Sequence, residues 1–344
     1  MKTVRYVSMK ERIGQQTGIG RQNSEFISKI SLKIRNHYIR HFEFNWGDER
    51  HLGYLSILAN KLVPIKKSKN EILHAGDISL TPFISDKFDI IEIWDMMPFE
   101  EFNLYQNNFI SAFIFASYIP PALSADIIVA HTEESKKIFL SFFGDKEVYV
   151  IPAGIDTDFF RIMPNIVKES RSVLAIAAGY PQENLVNLVK GCGESGNVIL
   201  RIIGDRLDAN ERKKLFSIAS KYKDLALIFI GYVSDEKLRE YYNFSSVYCS
   251  ASFKEGFGLT PVEAMACGTV PVLSKIDPHI DTAWQRGIFF NPKKPDEIAD
   301  SLNMAFDYDI VDRIQLRESA LEYSWSKVIP KWLSLYESLG VDIK

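Results

Sequence analysis

The residues with the clearest chemistry form one run between two apolar segments. It reads Phe253-Lys254-Glu255-Gly256-Phe257-Gly258-Leu259-Thr260-Pro261-Val262-Glu263-Ala264-Met265-Ala266-Cys267-Gly268. The glycines at 256 and 258 carry no side chains, so a ligand could approach the backbone N–H groups that precede a helix, which suits a diphosphate. Glu255 and Glu263 flank that anion site, where carboxylates can bind neutral hydroxyls or oppose a developing positive charge. A sugar with an oxocarbenium-like centre meets both conditions.

The same run predicts a short helix with defined ends. Thr260 and Glu263 have the types and spacing of a capping box, with a proline in the first turn, and Gly268 suits the position after the last turn. Residues 247–251 and 269–273 are apolar runs that indicate buried strands, so the segment is the loop and helix of a βαβ unit. Taken singly, Glu263 could be only a capping residue and Glu255 a solvated acid. The Gly-Phe-Gly between them favours a binding site.

Three stretches of the chain resemble one known enzyme family. Residues 255–268 look like the E-x7-E signature of retaining glycosyltransferases of the GT-B fold, family 4 (glycosyl transferases group 1). Residues 229–238 are similar to the family's Gly-Tyr-Val turn before a helix, and residues 150–156 with Phe159 are similar to its interdomain segment. The resemblance implies transfer of a hexosyl unit from a nucleotide diphosphate sugar to an acceptor hydroxyl, with retention at the anomeric carbon.

The resemblance also implies roles for individual residues. Glu255 would hold the donor sugar's hydroxyls and oppose positive charge on its ring, and Glu263 would hold the ribose hydroxyls. Lys254 or Arg206 would supply positive charge, and His131 joins Glu255 and Lys254 as a catalytic candidate. The other expected substrate-binding residues are Gly256, Phe257, Gly258, Leu259 and Thr260 around sugar and phosphate, Gly231 to Val233 along the base, and Gly18, Gly20 and Asp95 in the first domain.

Two departures from the family pattern bear on this interpretation. The family usually carries an Arg and a Lys after the first strand of the second domain, where this chain has Tyr180, Gln182 and Glu183. A carboxylate at Glu183 would repel a diphosphate unless it points away. The family's His-Asp pair appears here as Trp94-Asp95, and His131 and His74 lie in other loops of that domain.

Composition limits the classes of function. A chain of 344 residues with 46% hydrophobic and 25% charged residues can bury two cores of ordinary size. A net charge of −3 argues against nucleic acid as a partner. Three scattered cysteines and six histidines show no zinc-ligand spacing. We therefore expect neither a metal nor a cofactor, with the nucleotide sugar as donor substrate, and we interpret Asp156-Thr157-Asp158 as a turn.

Strand-like and helix-like segments alternate along the chain, which predicts an α/β protein. We expect two Rossmann-like, doubly wound parallel-sheet domains facing a cleft, the GT-B arrangement, with ligands beyond the strand carboxyl ends. The predicted boundaries give residues 1–160, residues 161–323 and a terminal helix over 324–344. The family resemblance implies that the first domain binds the acceptor, that the second binds the nucleotide sugar and that the terminal helix crosses back to the first. Predicted strands cover 4–9, 89–93, 127–130, 173–177, 198–203, 225–230, 247–250 and 270–273, and a first helix covers 23–34.

The sequence predicts a cytoplasmic protein, because its start lacks the apolar core of a signal peptide. The apolar stretch 109–119 is too short to span a bilayer and ends in two prolines. A buried helix is the simpler interpretation, and a membrane-surface patch that docks a lipid-linked acceptor is the alternative. A glycan, a lipid-linked sugar or a protein remains open as acceptor, with peripheral membrane contact in the second case.

Two other classes of function stay open at this point. The chain could be a non-catalytic protein that binds nucleotide sugars or glycans after losing the basic pair and the histidine. It could also be an isomerase on the same fold, such as a nucleotide-sugar 2-epimerase, which would need acid-base residues around the second carbon of the sugar. Hydrolysis is disfavoured, because it requires two converging carboxyl groups.

Overall fold

The computed structural model describes residues 2–9, 18–30, 35–39, 65–78, 81, 86–94, 96, 118–283 and 286–343. The chain divides into two compact units, one made of Met1–Gly154 with Trp325–Lys344 and the other of Ile155–Ser324. The sequence placed these divisions at residues 160 and 323. Asp95 and the apolar stretch up to residue 117 lie outside the described residues.

The first unit is an α/β layer structure. Its described strands pair in parallel in the order β2-β1-β3-β4-β5-β6. Strands β4 and β5 are buried at every residue, as expected for parallel strands covered on both faces. Its elements are β1 (Thr3–Met9), α1 (Gly18–Ile30), β2 (Arg35–Ile39), β3 (Glu71–Ala75), β4 (Ile90–Ile93), α2 (Ile119–Ser124), β5 (Ile127–Ala130), α3 (Glu133–Phe143), β6 (Glu147–Val150) and the carboxyl-terminal helix, α11 in chain order (Trp325–Ser338).

The second unit repeats the architecture with a continuous stretch of chain. Its described strands are also parallel, in the order β12-β11-β10-β7-β8-β9. Its elements are β7 (Glu169–Ile176), a 3-10 turn (Pro181–Glu183), α4 (Leu185–Ser195), β8 (Val198–Ile203), α5 (Ala209–Ala219), β9 (Leu225–Gly231), α6 (Asp235–Phe244), β10 (Ser245–Ser250), α7 (Leu259–Ala266), β11 (Val270–Ser274), α8 (Asp277–Thr282), β12 (Ile288–Phe290), α9 (Pro295–Phe306), α10 (Ile310–Ala320) and a second 3-10 turn (Leu321–Tyr323).

The predicted fold class of two parallel-sheet α/β domains is confirmed. The sequence analysis missed four strands. β2 and β3 contain polar residues, reading RNHYI and EILHA, whereas β6 alternates between exposed and buried residues and β12 has only three residues. The first helix begins at Gly18 rather than at residue 23, so Gly18 and Gly20 lie in its first turn and not in a loop.

Side-chain caps fix several helix starts in the second unit. Asp208 accepts hydrogen bonds from the N–H groups of Asn210 and Glu211, both at 2.8 Å, and Glu211 accepts one from the N–H of Asp208 at 3.1 Å. Asp309 and Asp312 form the same reciprocal box at the start of α10. These caps satisfy first-turn N–H groups that have no acceptor within the helix.

Aromatic residues hold α11 against the first unit. Trp332 and Tyr336 are buried in a core shared with Tyr6 and Phe26 of β1 and α1. Gly154 leaves room for the ring of Trp325, since a β carbon there would overlap it. Among the described residues, no helix has the length and apolar character needed to cross a membrane.

Candidate functional site

The loop and helix singled out by the sequence lie at the carboxyl end of β10. In parallel α/β sheets, ligands bind in the crevice beyond this edge. Helix α7 begins at Leu259, and Gly258 is its N-cap residue with φ of 85° and no side-chain cap. The first-turn N–H groups are therefore available for an anion, as the sequence analysis expected of this glycine-rich start.

The predicted capping box at the start of α7 is wrong. The hydroxyl of Thr260 lies 2.7 Å from the hydroxyl of Tyr248, and Glu263 is in the second turn and accepts a hydrogen bond from Tyr242 at 2.9 Å. Both side chains thus hydrogen-bond to tyrosine hydroxyls, and they do not form the predicted capping box. The predicted carboxyl end is confirmed, because Gly268 has φ of 67° and donates to the carbonyl of Met265 at 2.9 Å.

Glu263 is a buried carboxylate, with 1% of its surface exposed. Its partner Tyr242 is fully buried on α6, so the hydrogen bond between them joins two helices within the core. A buried carboxylate needs such donors, because burial without them costs several kcal/mol. The role of Glu263 toward a ribose stays a prediction.

Lys254 and Glu255 are half-buried in the loop after β10. Burial raises the pKa of the Tyr248 hydroxyl, and the negative charge of Glu255 adds to the rise. Phe257 is buried and packs edge-on against Tyr323, with ring centroids 5.7 Å apart. The loop therefore combines a buried anchor with charged residues near the helix start.

The loops after β8 and β9 end at the same edge of the sheet. Gly231 has φ of 84°, and its carbonyl accepts a hydrogen bond from the N–H of Gly204 at 3.0 Å. Tyr232 is exposed and Val233 is half-buried. Arg206 is exposed and donates from Nη1 to the hydroxyl of Tyr180 at 3.2 Å. The predicted contacts of these loops with the base and the phosphates stay predictions.

Glu183 folds back onto its own loop. Its carboxylate accepts hydrogen bonds from the N–H groups of Ala178, Gly179 and Tyr180, at 2.6, 2.8 and 3.0 Å. Burial raises the pKa of this carboxyl, although these three donors oppose the rise. The N–H of Phe253 also donates to the carbonyl of Gln182 at 2.8 Å, which joins this loop to the loop after β10.

In the first unit, His131 is buried directly after β5. Its Nδ1 lies 2.8 Å from the carbonyl oxygen of Ile151, and its Nε2 lies 3.1 Å from Oε2 of Glu92. Nδ1 is thus hydrogen-bonded and Nε2 lies next to a buried carboxylate, and a catalytic role for His131 stays a prediction. His74 is also buried, with Nε2 3.1 Å from Oε1 of Glu92.

The sequence analysis missed three residues that shape these sites: Glu92, Tyr242 and His279. Glu92 interrupts an apolar strand, Ile90-Ile91-Glu92-Ile93, and a charge within a fully buried strand is a signal that could have been used. Within the described ranges, no group of three His, Cys, Asp or Glu side chains could hold a metal ion.

Residues 156–321 match the family described as "Glycosyl transferases group 1". The mannosylfructose-phosphate synthase of Agrobacterium fabrum is 24% identical over 242 residues, which are 62% of this chain and 53% of that protein. The GDP-mannose:cellobiosyl-diphosphopolyprenol alpha-mannosyltransferase of Xanthomonas oryzae pv. oryzae is 24% identical over 232 residues, which are 64% of this chain and 60% of that protein. The matched part of the chain therefore spans less than two thirds of either relative.

Solved structures share the fold over the whole chain. Sucrose-phosphate synthase from Thermosynechococcus elongatus has a TM-score of 0.75 at 14% identity, covering 98% of this chain and 99% of that chain. HepE of Anabaena in complex with UDP and glucose has a TM-score of 0.69 at 14% identity, covering 98% of this chain and 99% of that chain. Residues 156–321 thus form a domain of the glycosyl transferases group 1 family, within a chain that has the GT-B fold.

Proposed function

We propose that this chain is a glycosyltransferase that moves a hexosyl unit from a nucleotide diphosphate sugar to an acceptor hydroxyl, with retention at the anomeric carbon. The observation that carries the proposal is the group 1 match over residues 156–321, which includes the uncapped start of α7 at the carboxyl end of β10. The names of both relatives describe sugar transfer or synthesis, and HepE was solved with UDP and glucose.

The proposed roles follow the position of each residue along this sheet edge. The backbone from Gly256 to Thr260 binds the phosphates and the sugar, and Lys254 or Arg206 adds positive charge. Glu255 opposes the positive charge that develops on the sugar ring, where a fixed carboxylate stabilises the transition state more than the ground state. Glu263 binds the ribose hydroxyls, and Gly231 to Val233 line the base.

Retention would proceed by departure of the diphosphate and attack on the same face of the sugar, as the family resemblance implies. A covalent intermediate would need a carboxylate nucleophile opposite Glu255, and we assign none. In the first unit we keep His131 as a catalytic candidate and Gly18, Gly20 and Asp95 as acceptor-side candidates. The acceptor is a glycan, a lipid-linked sugar or a protein, and the proposed location is the cytoplasm, with peripheral membrane contact for a lipid-linked acceptor.

A thermal-shift screen with UDP, GDP, ADP and their hexose conjugates identifies the donor. A ligand at a hundred times its Kd raises the free energy of unfolding by about 2.7 kcal/mol. UDP-glucose and GDP-mannose are the first to try, given the names of the relatives. Nucleotide binding without transfer to any acceptor would favour the non-catalytic alternative.

Glu255→Gln then tests the chemistry with the donor so identified. We expect transfer to fall by about a hundredfold or more, with little change in nucleotide affinity, because the charge acts mainly in the transition state. Glu318→Gln, an exposed carboxylate on α10, is the matched control and should transfer as the parent does. Unchanged turnover in Glu255→Gln would remove this residue from the mechanism.

A further inference from the structure

No side chain among the described residues caps the start of α7, which leaves backbone hydrogen-bond donors there. Gly258 precedes the helix and has no side chain, and Pro261 in the first turn has no N–H group. The N–H groups of Leu259 and Thr260 precede any possible partner within the helix. Together with the positive end of the helix dipole, they favour an anionic oxygen at this point.

His279, on α8, lies directly against this helix start. A β carbon added to Gly258 would lie 3.6 Å from Cδ2 of His279 and 3.5 Å from Oγ1 of Thr282. Nε2 is bonded to Cδ2, so this nitrogen is one bond from the ring atom that lies next to Gly258. The side chain is buried, with 1% of its surface exposed.

The opposite edge of the ring fixes its protonation. Nδ1 lies 3.0 Å from the carbonyl oxygen of Ser274 and 3.0 Å from the hydroxyl oxygen of the same residue. A carbonyl oxygen only accepts, so Nδ1 carries the hydrogen. Burial lowers the pKa of His279 to about 4, so the ring is neutral near pH 7. Nε2 then presents a lone pair.

This lone pair is unsatisfied in the part of the chain that the structure describes. Nε2 of His279 is buried and has no hydrogen-bond partner among the described residues. An orphaned buried acceptor costs free energy, which a ligand that donates to it would recover. Phosphate oxygens at neutral pH mainly accept, whereas a hydroxyl group donates. A ligand that satisfies both Nε2 and the helix start therefore carries a hydroxyl close to an anionic oxygen, as a sugar phosphate does.

We propose that Nε2 of His279 accepts a hydrogen bond from one hydroxyl of the donor sugar while the start of α7 binds the adjoining phosphate. The identity of the ligand rests on the proposed function. His279 is then a specificity residue, because it selects a sugar with a hydroxyl at that point. A sugar that lacks the hydroxyl leaves the buried lone pair without a donor.

His279→Asn tests the proposal in the full chain. The Asn amide can still donate to Ser274, but it removes the acceptor next to Gly258. By titration calorimetry we expect affinity for UDP-glucose or GDP-mannose to fall about tenfold, as for the loss of one hydrogen bond, with affinity for UDP or GDP unchanged. Thr282→Val is the matched control, because its hydroxyl would lie 3.5 Å from a β carbon at the same glycine but already donates to the carbonyl of Pro278 at 2.7 Å. It should bind both ligand types as the parent does.

If His279→Asn lost equal affinity for the nucleotide and for its sugar conjugate, the role of His279 would be structural and the proposal would be overturned. No loss for either would do the same. The monodeoxy forms of UDP-glucose refine the test: removal of the paired hydroxyl should weaken binding to the parent but not to His279→Asn. A second measurement uses only the parent protein, so it does not depend on how a variant folds. The ¹⁵N resonance of His279 Nε2 should shift when the parent binds the sugar conjugate and not when it binds UDP.

Failure of the proposed function is distinguishable from failure of this inference. A parent protein that binds none of the nucleotides contradicts the proposed function. Glucose 1-phosphate and mannose 1-phosphate, each compared with inorganic phosphate, then repeat the test on parent and His279→Asn. Binding of a sugar phosphate that depends on His279 supports the inference, and no such binding overturns it.

Discussion

At the scale of single residues, the carboxylate of Glu92 lies against three side chains in the core of the first unit. Its Oε1 lies 2.9 Å from the hydroxyl of Tyr6 and 3.1 Å from Nε2 of His74, and its Oε2 lies 3.1 Å from Nε2 of His131. Nδ1 of His131 donates to the carbonyl of Ile151 at 2.8 Å, so the same ring lies between Glu92 and the backbone after β6. Tyr336 of α11 completes the group through Nδ1 of His74, at 2.7 Å.

Glu92→Gln should lower the free energy of unfolding at pH 7 by about 3 kcal/mol, because it removes one partner of a buried pair. Burial raises the pKa of Glu92, but the hydrogen bonds and charges of His131 and His74 outweigh it and lower the pKa from 4.5 to about 2. A carboxyl group whose pKa is lower in the folded state than in the unfolded state stabilises the fold at pH values above its unfolded-state pKa. This contribution is lost as pH falls from about 4.5 toward about 2.

Urea unfolding between pH 7 and pH 2 measures the effect. The parent should lose more stability than Glu92→Gln below pH 4.5, so that the two curves converge. Asp145→Asn, an exposed acid of the same unit, serves as the control and should follow the parent. Parallel curves for parent and Glu92→Gln would contradict a paired carboxylate at this position.

Glu183 marks the limit of what residue types alone can predict about the site. The sequence places a carboxylate where the resembling family carries a cation, which suggests repulsion of a diphosphate. The structure turns that carboxylate toward three N–H groups of its own loop. This conformation depends on the positive φ of Gly179, and the orphaned nitrogen of His279 depends on how α8 packs against Gly258. Neither can be read from spacing along the chain.

At the scale of elements, helix α7 was predictable except for its start. Apolar runs predicted β10 and β11, and Gly268 predicted the carboxyl end through its preference for positive φ. The start was not predictable, because Thr260 and Glu263 have two sets of competing partners: the helix N–H groups and the hydroxyls of buried tyrosines. Tertiary packing decides whether these side chains bond to the helix N–H groups or to the tyrosine hydroxyls. A continuous apolar run likewise predicted β5, and a run interrupted only by Arg201 predicted β8, whereas β6, whose residues alternate in exposure, was not predicted.

Gly258→Ala and Gly268→Ala form a matched pair at the two ends of α7. Both glycines have positive φ, at 85° and 67°, so alanine costs about 1 kcal/mol of stability at either end. Gly268→Ala should cost more, because its methyl would lie 3.0 Å from Cγ1 of Ile162. We expect only Gly258→Ala to weaken UDP or GDP binding in calorimetric titrations, since only that end meets the phosphates. An equal loss of affinity in Gly268→Ala would assign the effect to the helix as a whole.

At the scale of the whole molecule, the two units differ in how the chain builds them: one is a continuous stretch, and the other combines both ends of the chain. The second unit is one continuous stretch, Ile155–Ser324, and it contains every residue proposed to bind the donor, from Arg206 to His279. The first unit is built from two stretches, and its core includes Trp332 and Tyr336 from the end of the chain. Composition predicted two cores, and the family resemblance, rather than any residue pattern before Trp325, implied that the terminal helix returns to the first unit.

We expect a fragment of residues 155–324 to fold cooperatively alone and to bind the donor nucleotide of the full chain. Its sheet, its helices and the start of α7 all lie within that stretch.

Residues 1–154 alone should not fold cooperatively, because loss of α11 exposes buried side chains such as Tyr6 and Phe26, at about 25 cal/mol for each Å² of apolar surface. Residues 1–154 joined by a flexible linker to 325–344 should recover a cooperative transition. Circular dichroism melts distinguish these outcomes, and thermal shifts with UDP, GDP and ADP report binding. A fragment of 155–324 that folds but binds no nucleotide, beside a full chain that does, would mean that the donor site needs residues outside the second unit.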